Sequence, residues 1–251
     1  MKLSVVILAK NEEKIIKDCL ESVKWADEVI LVDSGSTDKT LVMAKEFGAK
    51  IVNSPSKKLA FAKWRNQGLK VAQGDWLLYV DADERVTPEL KKEIESLIKS
   101  KPKAVAFEIP RKNFYLGKEV RYGGAWPDYV RRLFLKKKLK GWVNQLHEHP
   151  EVEGSWGRLK HPLIHLTHRS LSEMIEKTNQ WSKIEAALLF QANHPEVTGW
   201  RFLRIMLTEF WQRGIRQQGL RNGTVGWIET LFQVFSRFIT YARLWELQQK
   251  R

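Results

Sequence analysis

Two aspartates flanking one small residue, Asp81-Ala82-Asp83, close a stretch that is apolar from Trp76 to Val80. A continuous apolar run of that length is the pattern of a strand covered on both faces. Where the strand ends and the chain turns, the two carboxylates can converge. Hard oxygen ligands at a strand's carboxyl end suit a divalent cation that also holds phosphate oxygens. A lone Asp-x-Asp is more often a polar strand end leading to a helix cap, so the flanking sequence has to decide. Two more polar clusters stand in the same relation to apolar runs. Lys10-Asn11-Glu12 follows the run from Leu3 to Ala9, and Asp33-Ser34-Gly35-Ser36-Thr37 follows the run from Glu28.

The intervening sequence explains how three such clusters could meet. Strands are expected at 3–9, 28–33, 49–53 and 76–80. Helices are expected at 12–25, from the 33–40 turn to about 47, at 60–72 and at 88–100. Asn11 is placed to cap the first helix, and Gly48 to close the second. Thr87-Pro88-Glu89 reads as a cap, a proline at the first helical position and an acidic first turn. Strands alternating with helices imply a doubly wound, mostly parallel α/β sheet, whose ligands bind beyond the carboxyl ends of the strands. From about 104 the pattern changes. Strands at 104–109 and 130–135 enclose a loop-rich stretch with Gly117, Gly123-Gly124 and Pro127. Helical stretches follow at 171–191, 199–213 and 224–249.

The chain has 251 residues, 43% of them apolar, which suffices for a sizeable core. Its net charge of +14 is uneven. Residues 1–100 carry 17 basic and 16 acidic side chains, and residues 101–251 carry 26 and 13. Eight of the eleven tryptophans lie in the second part. A basic, aromatic half is expected to face a polyanion: nucleic acid, anionic lipid or a phosphorylated glycan. The single Cys19 excludes an internal disulfide and points to a reducing compartment. The apolar run at 3–9 is followed at once by charges, unlike a signal peptide. No stretch offers the roughly 18 uninterrupted apolar residues of a bilayer-spanning helix.

Four motifs in order, Val5-Val6-Ile7-Leu8-Ala9-Lys10-Asn11-Glu12, Val32-Asp33-Ser34-Gly35-Ser36-Thr37-Asp38, Arg65-Asn66-Gln67-Gly68 and Asp81-Ala82-Asp83, resemble the family 2 glycosyltransferases. Three later stretches, Arg132-Leu133-Phe134, Leu146-His147-Glu148 and Leu220 to Gly226, resemble a narrower bacterial group that glucosylates the inner core of lipopolysaccharide. The resemblance implies the nucleotide-diphosphosugar transferase (GT-A) fold over residues 1–168, with a nucleotide-sugar half (1–100) and an acceptor half (101–168). Residues 169–251 form a basic, Trp-rich helical extension. It also implies a UDP-sugar donor, with Mn²⁺ or Mg²⁺, and inversion at the anomeric carbon. Lys10, Glu12, Asp33, Arg65, Asp81 and Ala82 should then line the donor site, and Asp83 should bind the metal.

Single-step inversion needs one general base for the acceptor hydroxyl, not the paired carboxylates of a glycosidase. The resemblance favours Glu148, because His147-Glu148 falls where the family's base-bearing segment is expected, and Asp128 is the alternative. Five of the six histidines fall between 141 and 168. One of them, His165 or His147 first, could complete the cation's shell, while most are expected to be ordinary partly buried histidines. Arg131 and Arg132 could grip phosphates of an anionic glycan or glycolipid acceptor. The 224–249 helix, amphipathic with Trp and Arg, suggests peripheral contact with the inner face of the cytoplasmic membrane, or a homodimer contact. Two other classes compete: a nucleic-acid-binding α/β protein, and a nucleotidylyltransferase on a similar sheet. The first leaves the strand-end carboxylates unexplained. The second would want a Gly-rich loop after the first strand, where Lys10-Asn11-Glu12-Glu13 has no glycine.

Overall fold

The computed structural model describes residues 1–55, 60–144 and 148–250. They form two compact units, Met1–Arg111 with Tyr129–His165, and Lys112–Asp128 with Leu166–Arg251. The elements in chain order are β1 (Leu3–Ala9), α1 (Ile16–Val23), β2 (Glu28–Asp33), α2 (Thr40–Glu46), β3 (Lys50–Asn53), α3 (Phe61–Val71), β4 (Trp76–Asp81), β5 (Glu84–Val86), α4 (Pro88–Ser100), β6 (Ala106–Tyr115), β7 (Lys118–Val120), β8 (Asp128–Leu135), β9 (Leu139–Val143), β10 (His149–Val152), β11 (Trp156–Arg158), β12 (Leu163–Thr167), α5 (Leu171–Gln191), α6 (Gly199–Phe210) and α7 (Thr224–Gln248).

The main sheet has the order β3-β2-β1-β4-β8-β6-β12-β5. Its first four strands are parallel, and β8 joins β4 antiparallel. β1 is buried along its whole length. Its odd residues Val5 and Ile7 pack in one core with α1 and α4. Its even residues Val6 and Leu8 pack in a second core with Trp64 of α3 and Trp142 of β9. Two cores on opposite faces are what a doubly wound sheet requires.

Helix α3 lies flush on the sheet at Gly68, where an added Cβ would stand 2.3 Å from Val6 Cγ1. The Thr87 hydroxyl accepts the Leu90 N–H and Pro88 opens α4, as the sequence led one to expect. Gly48 has a φ of +88° just after α2, the expected helix stop. Asn11 departs from expectation. It caps no helix: α1 begins only at Ile16, without a side-chain cap. Asn11 instead takes a φ of +55°, and its side-chain Oδ1 accepts the Thr37 N–H at 2.8 Å.

In the second unit α7 packs on α5 and α6. The expected 199–213 helix ends at Phe210 and continues as a π-helical turn, Trp211–Arg216. The motif from Leu220 to Gly226 has a structural task there. Asn222 Oδ1 accepts the N–H groups of Arg121 and Tyr122 at 3.0 and 3.1 Å, and its Nδ2 donates to the carbonyls of Tyr122 and Gly219 at 3.1 and 3.0 Å. Gly226 admits no Cβ, which would meet the Gly219 carbonyl oxygen at 2.1 Å. Residues 112–128 thus belong with the C-terminal helices, a grouping that nothing in the sequence signalled. Among the described residues no helix is long and apolar enough to cross a membrane.

Gly68→Ala is expected to destabilise the chain by about 1–3 kcal/mol through overpacking against Val6. Gly199→Ala, where an added Cβ meets nothing within 4 Å, should stay within about 0.5 kcal/mol of the parent. Urea denaturation of the two variants checks both.

Candidate active site

Strand register brings the acidic clusters to one edge. Asp33 pairs in register with Ala9, and Asp81 with Leu8, so the two aspartates flank the end of β1. Two strand spacings put them about 10 Å apart across it. Asp33 is 4% exposed, and its carboxylate accepts the N–H groups of Gly35 and Ser36 at 3.0 and 3.1 Å. The loop it shapes is zipped to the loop after β1. Asn11 N–H donates to Ser36 Oγ at 3.0 Å, Glu12 N–H to Thr40 Oγ1 at 2.8 Å, and Glu13 N–H to Asp38 Oδ2 at 3.1 Å. The motifs at 10–13 and 33–40 therefore hold each other. Lys10 is exposed at this rim and Glu12 half-buried.

The β4 end is held by a buried ionic cluster. Glu84, fully buried, accepts the Asp81 N–H at 2.9 Å, Arg132 Nη2 at 2.8 Å and Arg111 Nη1 at 3.3 Å. Asp81 is bonded by Arg132 and, at 3.1 Å, by Arg65 Nη2. Arg65 Nε reaches Glu148 Oε1 at 3.4 Å. Its guanidinium carbon lies 4.8 Å from the Trp142 ring centroid and 5.6 Å from that of Tyr79. Three carboxylates and three guanidiniums balance one another.

Burial alone would raise the Asp81 carboxyl. The charges of Arg132 and Arg65, with the Arg132 hydrogen bond, outweigh it and hold Asp81 well below the usual carboxylate range. Arg65 Nη1 is buried with no hydrogen-bond partner among the described residues. Asn66, next on α3, exchanges two 2.8 Å bonds with the Trp142 backbone. Ala82, in the turn after β4, is 4% exposed. Arg85 braces the same turn by donating to the carbonyls of Ala82, Glu84 and Ile15 at 2.7–2.8 Å.

Asp83 faces His165, with Oδ2 and Nε2 3.5 Å apart. The antiparallel pairing of β5 with β12 sets His165 opposite Glu84, one residue on. Among the described residues no group of three or more His, Cys, Asp or Glu could hold a metal; Asp83 and His165 are a pair. His147 lies outside the described residues.

Asp128 sits in the second unit, where Asn113 Nδ2 donates to its Oδ2 at 3.1 Å. Arg131 is half-exposed, stacked 5.0 Å from the Trp156 ring centroid and 3.7 Å from Glu108. Arg132 is a buried partner of Asp81 and Glu84 instead of a surface cation. Glu84, Arg111, Tyr79 and Trp142 carry no motif that marks them as site residues. Glu84 directly follows Asp83 and Tyr79 lies two residues before Asp81 on β4, whereas Arg111 and Trp142 reach the cluster from strands far along the chain.

The Asp81 carboxyl titrates lower in the folded chain than in the unfolded one. Its contribution to stability is therefore present above the unfolded value, near pH 3.9, and fades as pH falls toward the folded value. Asp81→Asn should lower the melting temperature at pH 7 and flatten its decline below about pH 4. Thermal unfolding across pH 2–7 is the check.

Comparison with known proteins supplies the class. The family described as Glycosyl transferase family 2 matches residues 4–167. A glycosyltransferase of Rickettsia typhi is 29% identical over 99% of this chain and 88% of its own length. A lipopolysaccharide core biosynthesis glycosyltransferase of Rhizobium meliloti is 26% identical over 98% of this chain and 93% of its own. Among solved structures, residues 1–349 of Staphylococcus aureus TarS, in complex with UDP-GlcNAc, superpose with a TM-score of 0.51 at 18% identity, covering 95% of this chain and 82% of that one. The α/β sheet with its helical extension is accordingly of the GT-A kind. The chain belongs to glycosyl transferase family 2 and is a glycosyltransferase.

Proposed function

We propose that this enzyme transfers a hexose, glucose first among the candidates, from a UDP-sugar to a lipopolysaccharide-core or other lipid-linked glycan, with inversion. The observation that carries the reading is the shared strand edge, where Asp33 and Asp81 flank β1 and Asp83 stands beside His165. The Rhizobium meliloti relative, named for lipopolysaccharide core biosynthesis, supports the acceptor class. The UDP-GlcNAc complex of the TarS fold supports the donor class.

In this reading residues 1–100 hold the donor and 101–168 the acceptor. Asp33, with Lys10 and Glu12, receives the nucleoside end. Arg65 serves the diphosphate side, and its buried, unpartnered Nη1 fits an anionic oxygen. Asp81 and Ala82 lie near the sugar. Asp83 and His165, a hard carboxylate and an imidazole, fit Mn²⁺ better than Mg²⁺, which prefers an all-oxygen set. Two protein ligands leave room for phosphate oxygens. When bound, the cation supplies positive charge for the departing diphosphate.

The acceptor oxygen forms its bond to the anomeric carbon as the bond to the diphosphate oxygen breaks. Glu148, reached through Arg65 from Asp81, takes the acceptor hydroxyl's proton. Asp128 is the alternative base. Arg131 offers its half-exposed guanidinium to acceptor phosphates. Arg132, so placed for the acceptor by sequence, serves Asp81 and Glu84 instead. The C-terminal helices bring the enzyme to the inner face of the cytoplasmic membrane.

Incubation with UDP-glucose and Mn²⁺ should release UDP, and Asp83→Ala should abolish that metal-dependent turnover with the fold intact by circular dichroism. A variant as active as the parent removes Asp83 from metal binding. Glu148→Gln should lower turnover about 10²–10⁴-fold with donor binding preserved. If Asp128→Asn produces that loss and Glu148→Gln does not, the base is Asp128.

A further inference from the structure

Helix α6 presents an unusual outer face. Trp200, Leu203, Leu207, Trp211 and Ile215 recur at helical spacing along α6 and the π-turn, and all five are exposed, Trp200 by 69%, Leu207 by 58% and Trp211 by 60%. No residue of α6 is fully buried. Its neighbour α7 runs antiparallel to it: Phe202 meets Phe238 at 5.6 Å between centroids, and Phe210 meets Trp227 at 6.4 Å. α7 adds a second exposed stripe through Leu231 and Phe235. Two adjacent apolar stripes form a patch of the kind that soluble surfaces rarely carry without a use.

The charges beside this patch point to an anionic occupant. Residues 199–223 hold five arginines and one glutamate. That glutamate, Glu209, is ion-paired to Arg213. Arg204 falls within the apolar stripe and is exposed, as is Arg216 at its end. Arginines set among tryptophans and leucines suit a bilayer interface, where aliphatic stems lie along acyl chains and guanidiniums reach anionic headgroups. A contact between two copies of this chain would instead set these like charges against each other.

We infer that the α6–α7 pair is a docking surface for an anionic lipid bilayer, with the α6 stripe entering the headgroup–acyl boundary. The helix that suggested membrane contact by sequence was α7; besides the exposed Trp227 and Trp245 of that helix, the structure exposes Trp200 and Arg204 on α6 and Trp211 and Arg216 on its π-turn. The inference deepens the lipid-linked acceptor reading and rests on it for the choice of a bilayer as occupant.

The test is co-sedimentation of the full chain with phosphatidylglycerol–phosphatidylcholine vesicles against phosphatidylcholine alone. Binding should be at least about tenfold tighter to the anionic vesicles, as two or more surface-near arginines would give, and should weaken with salt. Leu207→Glu, at an exposed position, should lose about tenfold in vesicle binding, since an acidic side chain enters both an apolar and an anionic zone. It should keep the parent's circular dichroism and its UDP release from a soluble nucleotide sugar.

Wild-type protein that ignores anionic vesicles overturns the inference. So does a Leu207→Glu variant that binds them as the parent does, or one that in sedimentation velocity merely converts a dimer to monomer with vesicle binding unchanged. Should UDP release fail while vesicle binding stands, the donor reading falls and this surface remains; the converse result separates them the other way.

Discussion

The site hangs on a buried carboxylate–guanidinium cluster at the end of β4. Arg132 spans Asp81 and Glu84, Arg65 spans Asp81 and Glu148, and Arg111 adds to Glu84. Burying so many charges yields little net stability, because desolvation offsets most of the attraction. What the cluster supplies is position. Glu84 accepts the Asp81 N–H, and Arg85 donates to the Ala82 and Glu84 carbonyls in the turn and to the Ile15 carbonyl just before α1, so the chain between Asp81 and Glu84 is pinned from both sides. Asp83 rides on that turn. The same guanidiniums keep Asp81 ionised.

The motifs that look purely catalytic are thus half structural. Asp33 spends its carboxylate on the amides of its own loop, and Asn11 spends its side chain on Thr37. Each motif is a template for the other, and the rim is shaped before any ligand arrives. Such preorganisation is what electrostatic catalysis asks of a site, since dipoles already in place need not reorganise as charge develops. Asn66 does the same work for the Arg65 side chain, zipping α3 to β9 so that the guanidinium is held against Trp142. In the second unit Asn222 plays a comparable part, with all four of its hydrogen bonds spent on holding residues 121–122 and its own turn.

Much of this was legible in one dimension, for local reasons. The apolar runs, the Thr87-Pro88 cap and the stop at Gly48 are short-range signals, and short-range sterics and hydrogen bonding enforce them. The first half of the fold therefore follows from its periodicity, and the acidic residues at the strand ends stand out as soon as the strands are drawn. Asn11 misled because its side chain can bond to either of two neighbours. The helix-cap partner lies in its own segment, whereas the one it takes is Thr37, 26 residues away.

From the sequence alone came the alternation that makes a doubly wound sheet, the strand-end aspartates, and the basic, tryptophan-rich character of the second half. Those properties depend on residue type and spacing, which local conformation converts directly into faces and edges. Only the tertiary structure decided that Arg132 turns inward to Asp81 and Glu84, that His165 stands beside Asp83, that residues 112–128 join the C-terminal helices, and that α6 shows its apolar stripe to the outside. Each of these is a choice among partners far apart in the chain. It is settled by which buried charge needs neutralising and by which helix face its neighbours leave uncovered, and neither quantity exists until the chain has folded.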